Sequence, residues 1–448
     1  MNEYFIAAIN KALESVSDYP SVQAPAVDKM PFGKDVAGAL DHILKTAEEL
    51  GYKTKNLDGY CGYADVGEGE SFGILGHVDV VPIGDGWLYP QGSVVSKGKV
   101  IDKSELKNHP DAVIYGRGIL DDKGPMYICL YAFKQLLDEG FKPKYKVRFI
   151  FGANEETGWK CIDHYNKVEV MPKKGFSPDS DFPAIYAEKG IYHYKLTFPI
   201  SKKIVDLCGG ERVNVVPDKA RLTIVADKPN TRVIKDLPDE YEMTTDGINI
   251  TVAASGTSAH GSLPSLGVNA ITKLLKIASA IDDNIKKILP LTDITGKECN
   301  IDFKDDASGA LTCNIGVARV SEGKLSLTID VRCPVTFKEE QVSEKLAKAF
   351  PFAKIELVNK QQPLYVDKNN ELVKILTKAY QTVTGDNKEA IAIGGGTYAR
   401  ALEEGVAFGP ELPGRESTIH MPNERAPIGD LWLAYKIYLE GMKNLLFK

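Results

Sequence analysis

The sequence predicts an α/β fold, with a mixed, largely parallel sheet sandwiched by helices and an inserted α+β lid. Three observations carry that expectation. Strand-like and helix-like segments alternate from about Tyr52 to Tyr186. From about Lys189 to Pro363 the rhythm changes to period-2 strands with one prominent helix. Beyond Pro363 the α/β alternation returns and continues to the end of the chain. A catalytic domain made from both chain ends, residues 1–187 and 365–448, split by a lid of residues 188–364, explains this order.

Each element has its own justification. "FGILGHVDVV", beginning at Phe72, is apolar almost throughout and reads as a strand buried on both faces. "KYKVRFIFG" places Val147, Phe149 and Phe151 at alternate positions and reads as a second strand. Between them Met126, Cys129, Leu130, Phe133, Leu136 and Leu137 recur at helical spacing, and Gly140 supplies the stop. In the lid, "RLTIVAD", "INITVAAS" and "KLSLTIDVRC" are period-2 strands, and "GVNAITKLLKIASAI" is a helix entered through a turn rich in Gly, Ser and Pro. "NNELVKILTKAYQTVTG" restarts the α/β part.

Composition narrows the function. The net charge of −6 comes from interspersed acids and bases, so no nucleic-acid partner is expected. The seven cysteines are scattered without a C-x-x-C pair, which argues against a disulfide scaffold or a thiolate zinc site and for a reducing compartment. The N-terminus lacks the pattern of a signal peptide, and no apolar run approaches a membrane span. A cytoplasmic protein with no membrane partner is the expectation.

Chemistry concentrates in five short stretches. "GHVDVVP" sets His77 and Asp79 two apart, on one side of an extended segment. "GRGILDDKGPM" places Asp121 and Asp122 side by side in a glycine-crowded turn. A solvated acidic turn ahead of a helix explains one of those acids but not both. In "FIFGANEETG" Glu155 and Glu156 follow a buried strand directly. "SPDSDFP" contributes Asp179 and "STIHMPNE" contributes His420. Alone, each has a bland reading, as a loop acid or a buried histidine. Together His77, Asp121, Glu156, Asp179 and His420 form a nitrogen and oxygen ligand set without sulfur. Two histidines and three carboxylates suit two divalent ions that share one carboxylate.

These motifs resemble the dinuclear zinc peptidase family of aminoacylases, desuccinylases and carboxypeptidases, and within it the PepV-type bacterial dipeptidases. The resemblance runs along nearly the whole chain. It implies that Asp121 bridges two metal ions, most often Zn2+ with Mn2+ or Co2+ also compatible, and that the Asp121–Asp122 peptide is cis. One metal would take His77 and Asp179, the other Glu156 and His420. Glu155 would be the general base that draws a proton from the attacking water and passes it to the leaving amine, while Asp79 would orient His77. The alternative within the family is an N-acyl amino acid deacylase, desuccinylase or carboxypeptidase. Asp79, Asp122 and Glu424 are acidic candidates for holding a substrate amine.

In the lid, "SGTSAHGSLPSLGVNA" puts His260 among small residues, where a plain loop histidine is the bland reading. The resemblance instead implies that His260 stabilises an oxyanion over the reacting carbonyl. It also implies that Asn214 of "RVNVVPD" binds substrate and that Arg332 of "TIDVRCP" holds the C-terminal carboxylate of a small peptide. The loop "IGGGTYAR", from Ile393, is expected to border the substrate pocket. The lid's length favours a monomer, because PepV-type enzymes fill with an enlarged lid the space that a partner subunit takes in relatives.

Overall fold

The computed structural model describes residues 1–447 except 236 and 239. It divides into two compact units, one of Met1–Tyr186, Tyr365–Ile391 and Thr397–Lys448, the other of Ala187–Leu364 and Ala392–Gly396.

The first unit carries a mixed sheet. Its order is Lys53–Leu57, Cys61–Val66, Lys146–Gly152, Ser71–His77, Lys174–Ser177, Glu404–Ala407 and Ile185–Glu188. The central neighbours run parallel, and the pairs toward either edge are antiparallel. The parallel centre follows from side chains that are buried on both faces: Phe72, Ile74 and Leu75 on one strand, Val147, Phe149, Ile150 and Phe151 on the next. The "FGILGHVDVV" strand ends at His77 rather than running through Val81. There the chain leaves the sheet, with the Val78 amide bonded to the Gly152 carbonyl.

Register places the site. His77 pairs with Gly152 and Ile74 with Phe176, so three parallel strands end together. The segments that follow them begin at the carboxyl edge of the sheet, where open α/β folds hold their ligands. Helix Lys123–Asp138 starts directly after the aspartate pair and is buried along most of its length. Gly124 allows this, because a Cβ there would lie 2.1 Å from the Ile119 carbonyl oxygen. Lys123, almost fully buried, donates to the carbonyls of Ser15 (3.1 Å) and Tyr19 (2.7 Å), at the C-terminal end of helix Glu3–Asp18. A cation at a helix C-terminus is well placed.

The second unit carries an eight-stranded antiparallel sheet whose core is shared with helices. In strand Gly190–Pro199, Tyr192, Tyr194, Leu196 and Phe198 point to the core, alternating with more exposed residues. Helix Ala270–Ala278, capped by the Asn269 side chain, buries Ile271, Leu274 and Leu275 in the same core, which Val342 and Leu346 of helix Glu339–Ala349 join. The seven cysteines are unpaired. Among the described residues, no helix is long and apolar enough to cross a membrane.

Candidate metal centre

Strand ends and loops bring the five ligand candidates together. Asp121 lies between the two histidines: its Oδ1 is 2.9 Å from His77 Nε2 and its Oδ2 is 2.8 Å from His420 Nε2. On the first side Asp179 Oδ2 is 3.8 Å from His77 Nε2, and on the second Glu156 Oε1 is 3.1 Å from His420 Nε2. One ligand atom each of His77, Asp121 and Glu156 falls within 4.8 Å of the others. The Asp121–Asp122 peptide is cis. His420 sits in a loop with φ of +63°, a left-handed backbone that a non-glycine residue adopts at a cost.

The cluster has too little positive charge of its own. Burial raises the carboxyls of Asp179 and Asp122 well above the ordinary range, with the charge of Asp121 adding to it. Burial likewise pushes Asp79 up to about 6 and, with neighbouring Glu156, Glu155 up to about 8. Asp122 Oδ1 is buried and, among the described residues, has no hydrogen-bond partner. Burial opposes protonation of the two imidazoles, yet the acids around them raise both, His420 to about 11. Lys123, beside the acids in sequence, spends its ammonium on main-chain carbonyls instead. A set of six carboxylates and two imidazoles, with His77, Asp79, Asp121 and Asp122 buried and His420 half-exposed at its edge, fits divalent cations, which supply the missing charge to oxygen and nitrogen donors.

Two expectations about supporting residues change. The carboxylate of Asp79 makes no hydrogen bond to the His77 ring: its Oδ1 is 3.7 Å from Nδ1, a distance for charge attraction only, whereas the Asp79 main-chain carbonyl is 2.9 Å away and sets the ring. Asp79 Oδ1 and Oδ2 accept the amides of Glu155 (3.0 Å) and Glu156 (3.1 Å) and so fix the acid pair. Nor is any of the three acids expected near a substrate amine exposed. Asp79, Asp122 and Glu424 are all buried. Asp122 Oδ2 accepts the His77 amide at 3.2 Å, and Gly76 makes room for it, since a Cβ there would meet that oxygen at 2.0 Å. Glu424 accepts the amides of Gly118 and Leu120 and the Arg117 guanidinium at 2.7 Å, gripping the loop that carries Asp121.

The sequence reading missed a second set of supports. Trp159 Nε1 donates to Glu155 Oε1 at 3.1 Å. Tyr398 meets His77 and Trp159 edge-on, with ring centroids 5.9 and 5.1 Å apart. Two aromatics within the "NEETGWKC" and "GGGTYAR" stretches were the available signal, but aromatics there read equally well as core.

In the second unit, Asn214, His260 and Arg332 lie on neighbouring segments. The Gly261 amide donates to the Asn214 carbonyl at 2.7 Å, and Val215 and His260 form a β-bridge. The Ser262 amide donates to His260 Nδ1 at 3.2 Å. An amide can only donate, so Nδ1 is the unprotonated nitrogen and a neutral His260 carries its proton on Nε2. Arg332 is already engaged: Nε and Nη2 bond to Asp330 at 2.8 and 2.9 Å, and Nη1 donates to the Gly394 carbonyl at 2.6 Å. Both partners of this pair are buried. Asp330→Ala therefore strands a buried guanidinium and is expected to cost about 3–5 kcal/mol in urea unfolding. A loss under about 1 kcal/mol would mean that Arg332 does not depend on Asp330.

Residues 73–444 match the Peptidase family M20/M25/M40. The chain belongs to this peptidase family. It is 36% identical over 439 residues to "Putative dipeptidase YtjP" of Bacillus subtilis (strain 168), covering 93% of this chain and 92% of the relative. Among solved structures it is similar to an M20 family metallo-carboxypeptidase, Sso-CP2 from Sulfolobus solfataricus. That match has a TM-score of 0.56 and 18% identity, over 99% of both chains. The di-peptidase Dug1p from Saccharomyces cerevisiae matches with a TM-score of 0.55 and 14% identity over 98% of both chains. At these identities the structural matches speak for the M20 fold alone.

Proposed function

We propose that this chain is a metal-dependent dipeptidase that hydrolyses short peptides with a free amino terminus at the His77–Asp121–His420 centre. The observation that carries the reading is the two-sided Asp121 carboxylate, with His77 and Asp179 on one side and His420 and Glu156 on the other. The family and the dipeptidase name of its relative support the substrate class. Two divalent cations, Zn2+ by expectation with Mn2+ or Co2+ compatible, would polarise the scissile carbonyl and activate a water. Glu155 takes the proton of that water and returns it to the leaving amine. Asp79 holds the Glu155 backbone in place for both transfers. Residues 1–187 and 365–448 act as the catalytic domain and residues 188–364 as a lid.

In the lid, His260 offers Nε2–H to the developing oxyanion, Asn214 assists in binding and Arg332 receives the peptide's C-terminal carboxylate. Its bonds to Asp330 and Gly394 hold the guanidinium in one orientation for that purpose. Removing an oxyanion donor costs ~10²–10³ in kcat, so His260→Ala is expected to fall by that factor with metal content unchanged. An unchanged kcat would remove His260 from the mechanism. We place the enzyme in the cytoplasm as a monomer, with no nucleic-acid or membrane partner.

The test is a turnover comparison on metal-replenished protein. A free dipeptide, its N-acetylated form, the corresponding tripeptide and an N-acyl amino acid are offered in parallel. Cleavage of the free dipeptide alone is expected. Preference for the acylated compounds would move the protein to the deacylase branch of the family.

A further inference from the structure

We propose that Trp159 is a positioning residue for hydrolysis, holding the Glu155 carboxylate in its proton-transferring orientation through the indole N–H. The inference rests on the reading of Glu155 as general base. Asp79 fixes the main chain at Glu155, but the side chain beyond it still has three rotatable torsions. The bond from Trp159 Nε1 to Oε1, 3.1 Å long, holds the far end. A single N–H occupies one carboxylate oxygen and leaves the second for the proton. As a neutral donor it favours the carboxylate without placing another charge beside the ligand cluster.

The setting of Trp159 supports a role beyond filling space. Its φ is +62°, in the left-handed region where a bulky side chain is uncommon and glycine is the easy choice. The structure nevertheless holds this backbone firmly. The Trp159 amide donates to the Asn154 carbonyl at 2.8 Å, and the Lys160 amide donates to Asn154 Oδ1 at 3.0 Å. The Trp159 carbonyl accepts the amides of Ile162 and Asp163 as the first turn of helix Lys160–Val168 begins. The turn thus projects the indole back toward Glu155, four residues earlier. Tyr398, whose hydroxyl lies 2.6 Å from Cys161 Sγ, packs edge-on against the indole and fixes its plane. An unusual backbone, a locked ring and a hydrogen bond onto Glu155 coincide at one side chain.

Trp159→Phe keeps an aromatic ring against Tyr398 and removes the donor together with part of the indole. With alanyl-alanine as substrate, kcat is expected to fall about tenfold, while KM, metal content and melting temperature stay near wild type. In a Glu155→Asp background, whose shorter carboxylate does not reach the indole, the same substitution is expected to have no further effect. A purely structural role would lower the rate equally in both backgrounds. A second readout is independent of turnover. The three tryptophans give three indole N–H signals in a 15N-labelled spectrum, and the one lost in Trp159→Phe is expected to move when Glu155→Gln is introduced. Wild-type kcat in Trp159→Phe, additive losses, or an indole signal indifferent to Glu155→Gln would overturn the proposal. Full turnover in Glu155→Gln would instead overturn the reading of the base, and the indole signal would still report whether the hydrogen bond exists.

Discussion

Glu155→Ala is expected to retain two metal ions per chain and to lose turnover by about 10³-fold, the range a general base supplies. The separation arises because the two neighbouring glutamates have different contacts. Glu156 Oε1 faces His420 within the ligand cluster, whereas Glu155 Oε1 faces the Trp159 indole. Removing Glu155 therefore takes away an acid whose contacts lie beside the ligand cluster. Metal analysis after dialysis, run with steady-state kinetics on the same sample, checks both halves. Turnover within about tenfold of wild type would exclude Glu155 as the base. Loss of metal along with activity would make it a ligand.

Asp121→Asn is expected to have the widest effect, leaving less than one metal ion per chain and no measurable turnover. Both oxygens of Asp121 are in use, one toward His77 and one toward His420, so replacing one with an amide group weakens both sides. His420→Ala is the contrast. It spares His77 and Asp179 and is expected to retain about one ion, with turnover lost because two ions act together. Inductively coupled plasma measurement distinguishes the two variants. Two ions retained in Asp121→Asn would mean that each cation has an independent set of ligands.

The sequence brought forward those residues of the cluster that fall in short motifs of unlike chemistry, and the structure places their side chains together. Each acid pair alone reads equally well as a loop or helix-start decoration, so His77, Asp121, Glu155 and Glu156 stand out only in combination and through the family resemblance. The parallel centre was legible because strands buried on both faces have nowhere to place polar residues. The supports were not legible. Glu424 reaches Gly118 and Leu120 across more than 300 residues, and nothing local marks an acid as the partner of distant amides. Asp79 was expected to serve its sequence neighbour His77, yet its carboxylate bonds to Glu155 and Glu156 because the Ser71–His77 and Lys146–Gly152 strands end side by side. Arg332 was expected to hold a substrate carboxylate, and its pairing with Asp330 depends on both being buried at the end of one strand. Which hydrogen bonds a polar group makes is decided by register and burial, and these emerge only once the strands are ordered.

The Glu424 contact also sets a timetable. The loop holding Asp121 is gripped by Glu424, more than 300 residues further along the chain and just after His420. During synthesis strand Glu404–Ala407, an interior member of the sheet, is made only shortly before either residue. A ribosome-bound nascent chain therefore lacks both a complete ligand set and a secured Asp121 loop. A fragment cut short before residue 420 is expected to be inert toward peptides.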